Sequence, residues 1–240
     1  MGSVSIGRRV SECSDLQYST HRLSLSKSIQ RRLKRLTDVA GSGVALLATA
    51  PVLAGSACVI RATMGRPVFF RQERPGLNGV PFTLVKFRTM AVATGDQGIE
   101  SDGMRLTSVG KILRSLSLDE LPTLWNVMRG DMSLVGPRPL LMQYLERYSA
   151  QEARRHEVVP GVTGWAQING RNALSWQEKF AYDVWYVDNW SFALDLKILL
   201  QTVAKVLRSE DINNEASATM TEFLGTAQSP ANALKKAQNS

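Results

Sequence analysis

Hydrophobic and polar positions divide the chain into stretches of different character. From Val39 to Ile60 there are 22 successive residues without a charge, enough for a helix to cross a bilayer core of about 30 Å. Basic residues flank the run on both sides: Arg31, Arg32, Lys34 and Arg35 before it, Arg61, Arg66 and Arg71 after it. A spanning helix would carry one flank across the membrane, against the positive-inside tendency. Pro51 stands near the middle, where it removes a backbone donor and bends a helix. Three arrangements stay open on this pattern: a helix that enters the membrane and returns, one that spans it, and the buried helix of a soluble domain. A cleavable signal peptide does not fit, because the basic flank begins only at Arg31.

Beyond the run, VFF (68–70) and FTLVKF (82–87) are short β-prone segments on either side of a Pro/Gly/Asn turn. They predict a β-hairpin over residues 67–87. Residues 91–103 read as a polar loop. A helix-rich region follows to about 156, interrupted at Gly136-Pro137-Arg138-Pro139. A turn cluster from Pro160 to Gly170 precedes further helix. In 192–208 the residues Phe192, Leu196, Leu199, Leu200, Val203 and Leu207 share one helical face, with Lys197 and Lys205 elsewhere. Core packing is the common use of such a face and contact with a membrane surface the rarer one. The end from 226 is rich in Gln, Asn, Ala and Ser and is expected to fray. No internal repeat is visible. The predicted fold is mixed α/β, mainly helical with a small β-hairpin sheet.

Charge adds a partner to this picture. Lys and Arg total 29 against 21 Asp and Glu, a net charge of +8 with a pI near 9.8. Within residues 1–35 the balance is eight basic to two acidic, which reads as a basic tail. Such an excess favours an anionic partner: nucleic acid, anionic lipid or a phosphorylated substrate. Hydrophobic residues are 44% of the chain and charged ones 21%, so a packed core is expected. The only cysteines and histidines are Cys13, Cys58, His21 and His156. Their spacing supports neither a disulfide framework, a zinc site nor a histidine-dependent triad.

Carboxylates and arginines are left as candidate chemistry. No phosphate loop, zincin motif or nucleophile elbow occurs. The adjacent acids Asp119 and Glu120 lie in Arg114-Ser-Leu-Ser-Leu-Asp-Glu-Leu-Pro122. Ser117 through Glu120 matches an S-x-x-E capping box, and helix capping is what that pattern alone favours. Arg88, Arg114, Arg138 and Arg171 recur near turn residues. A single surface arginine is usually just solvated, but several at turns suit a diphosphate, because guanidinium pairs with phosphate oxygens in a two-pronged way. A carboxylate beside them suits Mg²⁺ binding or nucleophilic attack. These residues point to an anionic, phosphorylated substrate and specify no reaction.

The stretches KRLTD (34–38), RPVFFRQERPGLNGVPFTLVKFRTM (66–90), LRSLSLDELPTLWNVMRGDMSLVGPRPLL (113–141), PGVTGWAQINGRN (160–172) and WSFALDLKILLQT (190–202) carry a resemblance. Together they resemble the bacterial sugar transferases, specifically short monotopic polyprenyl-phosphate phosphoglycosyl transferases without extra N-terminal membrane helices. The resemblance implies transfer of a sugar 1-phosphate from a UDP-sugar to polyprenyl phosphate, releasing UMP, as the first membrane step of glycan assembly. It implies that Asp119 attacks the sugar-linked phosphate and helps bind Mg²⁺. Glu120 would assist, and Arg88, Arg114, Arg138 and Arg171 would surround the phosphates and nucleotide. It also implies a re-entrant helix broken at Pro51, flanked by Lys34 and Arg35, at the cytoplasmic face of the bacterial inner membrane. The family's Ser-Pro pair is here Ala50-Pro51, and Thr49 is the candidate to replace the missing hydroxyl. ASATMTEFLG (216–225) is similar to the C-terminal signature of members that handle N-acetylated diamino sugars such as diacetylbacillosamine.

The implied organisation is a basic tail (1–33), the re-entrant helix (34–62), a catalytic domain (63–225) and a C-terminal tail (226–240). The expected partners are the UDP-sugar, polyprenyl phosphate and membrane lipid, with homo-oligomers allowed and no nucleic acid. Two alternatives compete with this reading. A basic membrane- or nucleic-acid-binding module explains the pI but not the acidic dyad among arginines, and no nucleic-acid-binding motif is present. A transferase that works through a ternary complex keeps the reaction without the covalent step.

Overall fold

The computed structural model describes residues 26–91, 105–170, 174–208 and 222–226. Most of the basic tail, all but the start of the polar loop, Arg171 and the first six residues of ASATMTEFLG therefore lie outside the described residues.

Helix α1 (Lys27–Met64) is 38 residues long and contains the whole uncharged run. It passes through Pro51. The Thr49 hydroxyl donates to the Ala45 carbonyl at 2.7 Å; the carbonyl that Pro51 leaves without its usual donor is that of Leu47. One face of α1 lies against the rest of the protein through Asp38, Ser42, Ser56 and Ile60, all buried. The other face leaves Leu36, Val44 and Leu47 more than half exposed.

Strands β1 (Phe69–Pro75) and β2 (Pro81–Phe87) form the predicted antiparallel hairpin. Asn78, with φ of 53°, makes its turn; asparagine tolerates that left-handed backbone because its short polar side chain bonds locally. Helix α2 (Ser108–Ser115) follows, capped where the Thr107 hydroxyl accepts from the Gly110 N–H. Gly110 is required there, since a β-carbon would lie 1.9 Å from the Thr89 carbonyl oxygen. Helix α3 (Thr123–Arg129) packs on α1, and its Asn126 ties it to the hairpin. The Asn126 side chain accepts from Val85 N–H and donates to the Thr83 carbonyl.

A second, parallel pair joins β3 (Ser133–Val135) to β4 (Gly161–Thr163). β3 lies in the region that the sequence pattern predicts as helix-rich, just before its break at Gly136, and β4 lies in the predicted turn cluster. At three residues each they are too short to show an alternation. Gly161 allows the close approach, as a β-carbon would lie 2.0 Å from the Gly136 nitrogen. Two single-turn helices, α4 (Ala150–Ala153) and α5 (Trp165–Ile168), and two longer ones, α6 (Trp176–Asn189) and α7 (Phe192–Arg208), complete this half. The protein is thus mainly helical with small two-stranded sheets.

The face of α7 departs from its common reading. Leu196, Leu200 and Val203 are exposed, whereas Asp195 and Ile198 point inward. Asp195 is the reason. It accepts from Lys34 Nζ at 2.7 Å, the Tyr186 hydroxyl at 2.6 Å and Trp190 Nε1 at 3.1 Å, so this carboxylate fixes which side of α7 is buried.

Candidate active site

Asp119 and Glu120 sit on a single 3₁₀ turn, Leu118–Glu120, between α2 and α3. Ser117 reverses the chain ahead of it with φ of 54° and ψ of 21°. That backbone defeats the predicted capping box, because a cap residue needs an extended conformation for its hydroxyl to reach back to the helix N–H groups. The Ser117 side chain caps nothing. The boxes that do form are Ser149 with Glu152 and Ser175 with Glu178, both on extended cap residues. Freed from capping, Glu120 turns toward two cations.

Lys86 Nζ, from β2, donates to Glu120 Oε1 at 2.6 Å. Arg138, from the loop after β3, grips both carboxylate oxygens: NH1 donates to Oε2 at 3.3 Å and NH2 donates to Oε1. These cations hold the Glu120 carboxyl well below the usual carboxylate range, overcoming the burial that pushes it up. Asp119 is treated differently. Its carboxylate makes no hydrogen bond or ion pair among the described residues. Burial, and then the negative charge of Glu120, push its pKa up against the pull of Lys86, Arg114 and Arg138.

A cavity of about 100 Å³ opens beside Glu120, with Arg74, Lys86 and Arg138 in its wall. Arg74 and Lys86 share one face of the hairpin because Arg74 pairs with Phe82 and Phe70 with Lys86 in the strand register. Arg74 NH2 donates to Gln72 Oε1 at 2.6 Å, and its Nε is buried without a partner. Burial, then the charge of Arg138, lowers the Arg74 pKa to about 10. Three cations thus line a cavity that holds one carboxylate. The space is that of about three waters, and its charge suits an oxyanion.

The predicted arginines divide. Arg138 meets the dyad directly. Arg114 lies in the last turn of α2 and donates from Nε to the Thr89 hydroxyl at 3.1 Å, and its charge acts on Asp119. Arg88 is directed elsewhere. It is buried, and its guanidinium donates to the carbonyls of Met64, Gly65 and Arg66 at the end of α1. Arg171 lies outside the described residues. Lys34 and Arg35, expected as a basic flank, also serve as anchors. Lys34 reaches the Val135 carbonyl as well as Asp195, and Arg35 donates to the Val127 and Met128 carbonyls at 2.7 Å each. Asp38 completes the attachment by accepting from the Leu134 N–H at 2.9 Å and the Ser133 hydroxyl at 3.1 Å.

Sequence reasoning missed Lys86 and Arg74. A signal was present: Lys86 follows Leu84 at the two-residue period of a strand, so a lysine occupies an inward position. Buried lysines are rare without a partner.

Comparison with known proteins places the chain in a family. The family model described as "Bacterial sugar transferase" matches residues 29–209. The uncharacterized sugar transferase EpsL of Bacillus subtilis is 56% identical over 195 residues, covering 81% of this chain and 96% of that protein. A UDP-glucose:undecaprenyl-phosphate glucose-1-phosphate transferase of Klebsiella pneumoniae is 43% identical, covering 72% of this chain and 39% of its own, longer one. A protein of the same name from Caulobacter vibrioides is 40% identical, with 74% and 71% covered. The chain therefore belongs to the bacterial sugar transferase family and is a transferase.

Proposed function

We propose that the protein moves a sugar 1-phosphate from a UDP-sugar to polyprenyl phosphate in two displacements, with Asp119 as the nucleophile. The observation that carries this reading is the unequal dyad. Glu120 is neutralised by Lys86 and Arg138, while its neighbour Asp119 is unpaired and more basic than an ordinary carboxylate. A basic, unpaired carboxylate beside cations is suited to attack at phosphorus.

In the first displacement an Asp119 oxygen attacks the phosphorus that bears the sugar. The P–O bond to UMP breaks, its electron pair leaves with UMP, and a phosphosugar–Asp119 acyl phosphate remains. In the second, an oxygen of polyprenyl phosphate attacks the same phosphorus. The bond to Asp119 breaks, the carboxylate is restored, and the sugar is left on a diphosphate linkage to the lipid. Arg114, Arg138 and Lys86 hold the phosphoryl oxygens and offset their charge, the main electrostatic requirement of such transfers. Glu120 keeps Arg138 and Lys86 in place.

Among the described residues no three His, Cys, Asp or Glu gather as a metal cage. Mg²⁺ commonly uses one or two carboxylates together with substrate phosphates, and the unpaired Asp119 carboxylate fits that donor set. When bound, Mg²⁺ offsets charge on the phosphoryl oxygens.

The same reading makes α1 a re-entrant helix that bends at Pro51, keeping the protein on the cytoplasmic face of the bacterial inner membrane. Support comes from both ends of α1 gripping one domain. Lys34, Arg35 and Asp38 hold its start, whereas Arg88 holds its end and Ile60 packs with Phe87 and Leu113. No residue from 43 to 52 is buried. A helix fastened at both ends with an apolar, unburied middle suits one leaflet better than a span whose ends lie on opposite sides. The exposed Leu196, Leu200 and Val203 of α7 add apolar surface for the lipid.

The relatives' names make UDP-glucose the first donor to test, and the resemblance carried by ASATMTEFLG (216–225) makes UDP-linked N-acetylated amino sugars the second. The product would open assembly of a glycoprotein glycan, an exopolysaccharide or an O-antigen. Purified protein in detergent with Mg²⁺, undecaprenyl phosphate and this donor panel should release UMP with one donor. No UMP from any UDP-sugar would overturn the reading.

A further inference from the structure

We propose that the buried pair Arg155–Asp183 is the device that positions Arg138, acting through the main-chain carbonyl of that residue. The inference rests on the role given to Arg138 above.

Arg138 lies between Pro137 and Pro139 in the loop after β3, and neither proline has an N–H with which to fasten the chain. Its neighbours are held from β4: Gly136 N–H donates to the Thr163 carbonyl at 2.9 Å, and Gly161 N–H to the Pro137 carbonyl at 3.0 Å. The Arg138 carbonyl accepts instead from Arg155 NH2 at 2.7 Å. Arg155 is itself fixed. Its Nε and NH2 both donate to Asp183 Oδ2, at 3.0 and 2.7 Å, and NH1 donates to the Tyr148 hydroxyl at 3.2 Å. The guanidinium also lies 5.8 Å from the Tyr148 ring centre and 5.6 Å from that of Phe180. Phe223 closes the group by stacking on Tyr148.

Both charges are buried, Arg155 at 2% and Asp183 at 4% exposure. Burying such a pair is often no better for stability than an apolar pair of like volume. Stability alone is thus a poor explanation for it. What an apolar pair could not supply is the donor to the Arg138 carbonyl. The side chain of Arg138 extends the other way, half exposed, onto both oxygens of Glu120. A chain of contacts therefore runs from α6 through Arg155 and the Arg138 backbone to the dyad. A shift of about 1 Å in such a group is enough to cost a reaction about a hundredfold.

The test uses the full chain in detergent, with the double variant Arg155→Met/Asp183→Leu removing both charges together. Its thermal midpoint should stay close to that of the unaltered protein. A crystal structure should show Arg138 displaced from Glu120, and UMP release from UDP-glucose, or from whichever donor the panel identifies, should fall at least tenfold per folded molecule. In an Arg138→Lys background the same double variant should lose less than twofold more, because both changes act on one group. A purely structural pair would instead add its full loss there. An unmoved Arg138, or turnover within twofold of the unaltered protein, would overturn the proposal. Should the double variant fail to fold, Arg155→Lys keeps the charge but loses the fork to the Arg138 carbonyl, and the same outcomes apply. Lack of turnover in the unaltered protein would count against the proposed reaction, while the position of Arg138 in the variant would still decide this inference.

Discussion

Asp119 and Glu120 are covalent neighbours in opposite electrostatic states: Glu120 binds two cations, and Asp119 pairs with nothing among the described residues. Burial acts on both carboxyls, yet Lys86 and Arg138 hold the Glu120 pKa down while that of Asp119 rises. Two acids on one turn thereby stand in different electrostatic settings.

Replacing Asp119 separates chemistry from stability. Asp119→Asn removes a carboxylate that burial and Glu120 both disfavour, so the thermal midpoint should hold or rise slightly. UMP release should drop by about a thousandfold or more. Melting curves and UMP assays on one preparation check both; near-normal turnover would end the nucleophile assignment.

Glu120→Gln should behave in the reverse order. It leaves Lys86 and Arg138 without their anionic acceptor and should lower unfolding free energy by about 1–3 kcal/mol. Turnover should fall as well, because Arg138 loses its anchor. Denaturation in detergent compared with that of Asp119→Asn reads the contrast.

Arg88 and Arg114, alike in sequence setting, should separate too. Arg88→Met strips three carbonyls at the end of α1 of their donor and should cost about 3 kcal/mol in stability. Arg114→Met should leave stability within about 0.5 kcal/mol and act mainly on turnover. Paired melting and activity measurements distinguish them.

His156 supplies a pH test away from the dyad. Burial, then the charge of Arg155, lowers its pKa from 6.5 to about 4, and its Nε2 is buried without a partner. Its folded-state pKa lies below the unfolded value, so its contribution is fully present above pH 6.5 and is lost as pH falls toward 4. Stability should drop by about 2 kcal/mol from pH 7.5 to pH 5 on this account, and His156→Gln should remove most of that slope. An unchanged slope in the variant would contradict it.

The path of α1 is testable by labelling. With Cys13 and Cys58 replaced, single cysteines at Ser28 and Ala62 should both react with a membrane-impermeant maleimide in inverted vesicles, and neither in intact spheroplasts. Opposite labelling of the two positions would show a span.

The sequence made some of this legible and hid the rest for identifiable reasons. The hairpin could be read because both strands are long enough to alternate and Asn78-Gly79 marks their turn. The dyad stood out as an acidic pair among arginines, but its S-x-x-E pattern pointed to capping. The left-handed Ser117 backbone that overrides this is not encoded in that four-residue pattern. β3 and β4 are too short for any periodicity. On α7 the helical period was right and its buried side was not, because Asp195 pairs with Lys34, 161 positions away. Arg88 reads as a phosphate-binding residue, and Lys34 and Arg35 as a membrane flank, for the same reason. Their partners are backbone carbonyls or distant acids, which residue type does not reveal.

The most direct test of the central claim is the intact mass of detergent-purified protein after incubation with Mg²⁺ and the UDP-sugar panel, without any lipid acceptor. The account predicts a gain equal to one phosphosugar with the right donor, absent in Asp119→Asn. Unchanged mass with every donor, alongside UMP release once undecaprenyl phosphate is added, would contradict the covalent step.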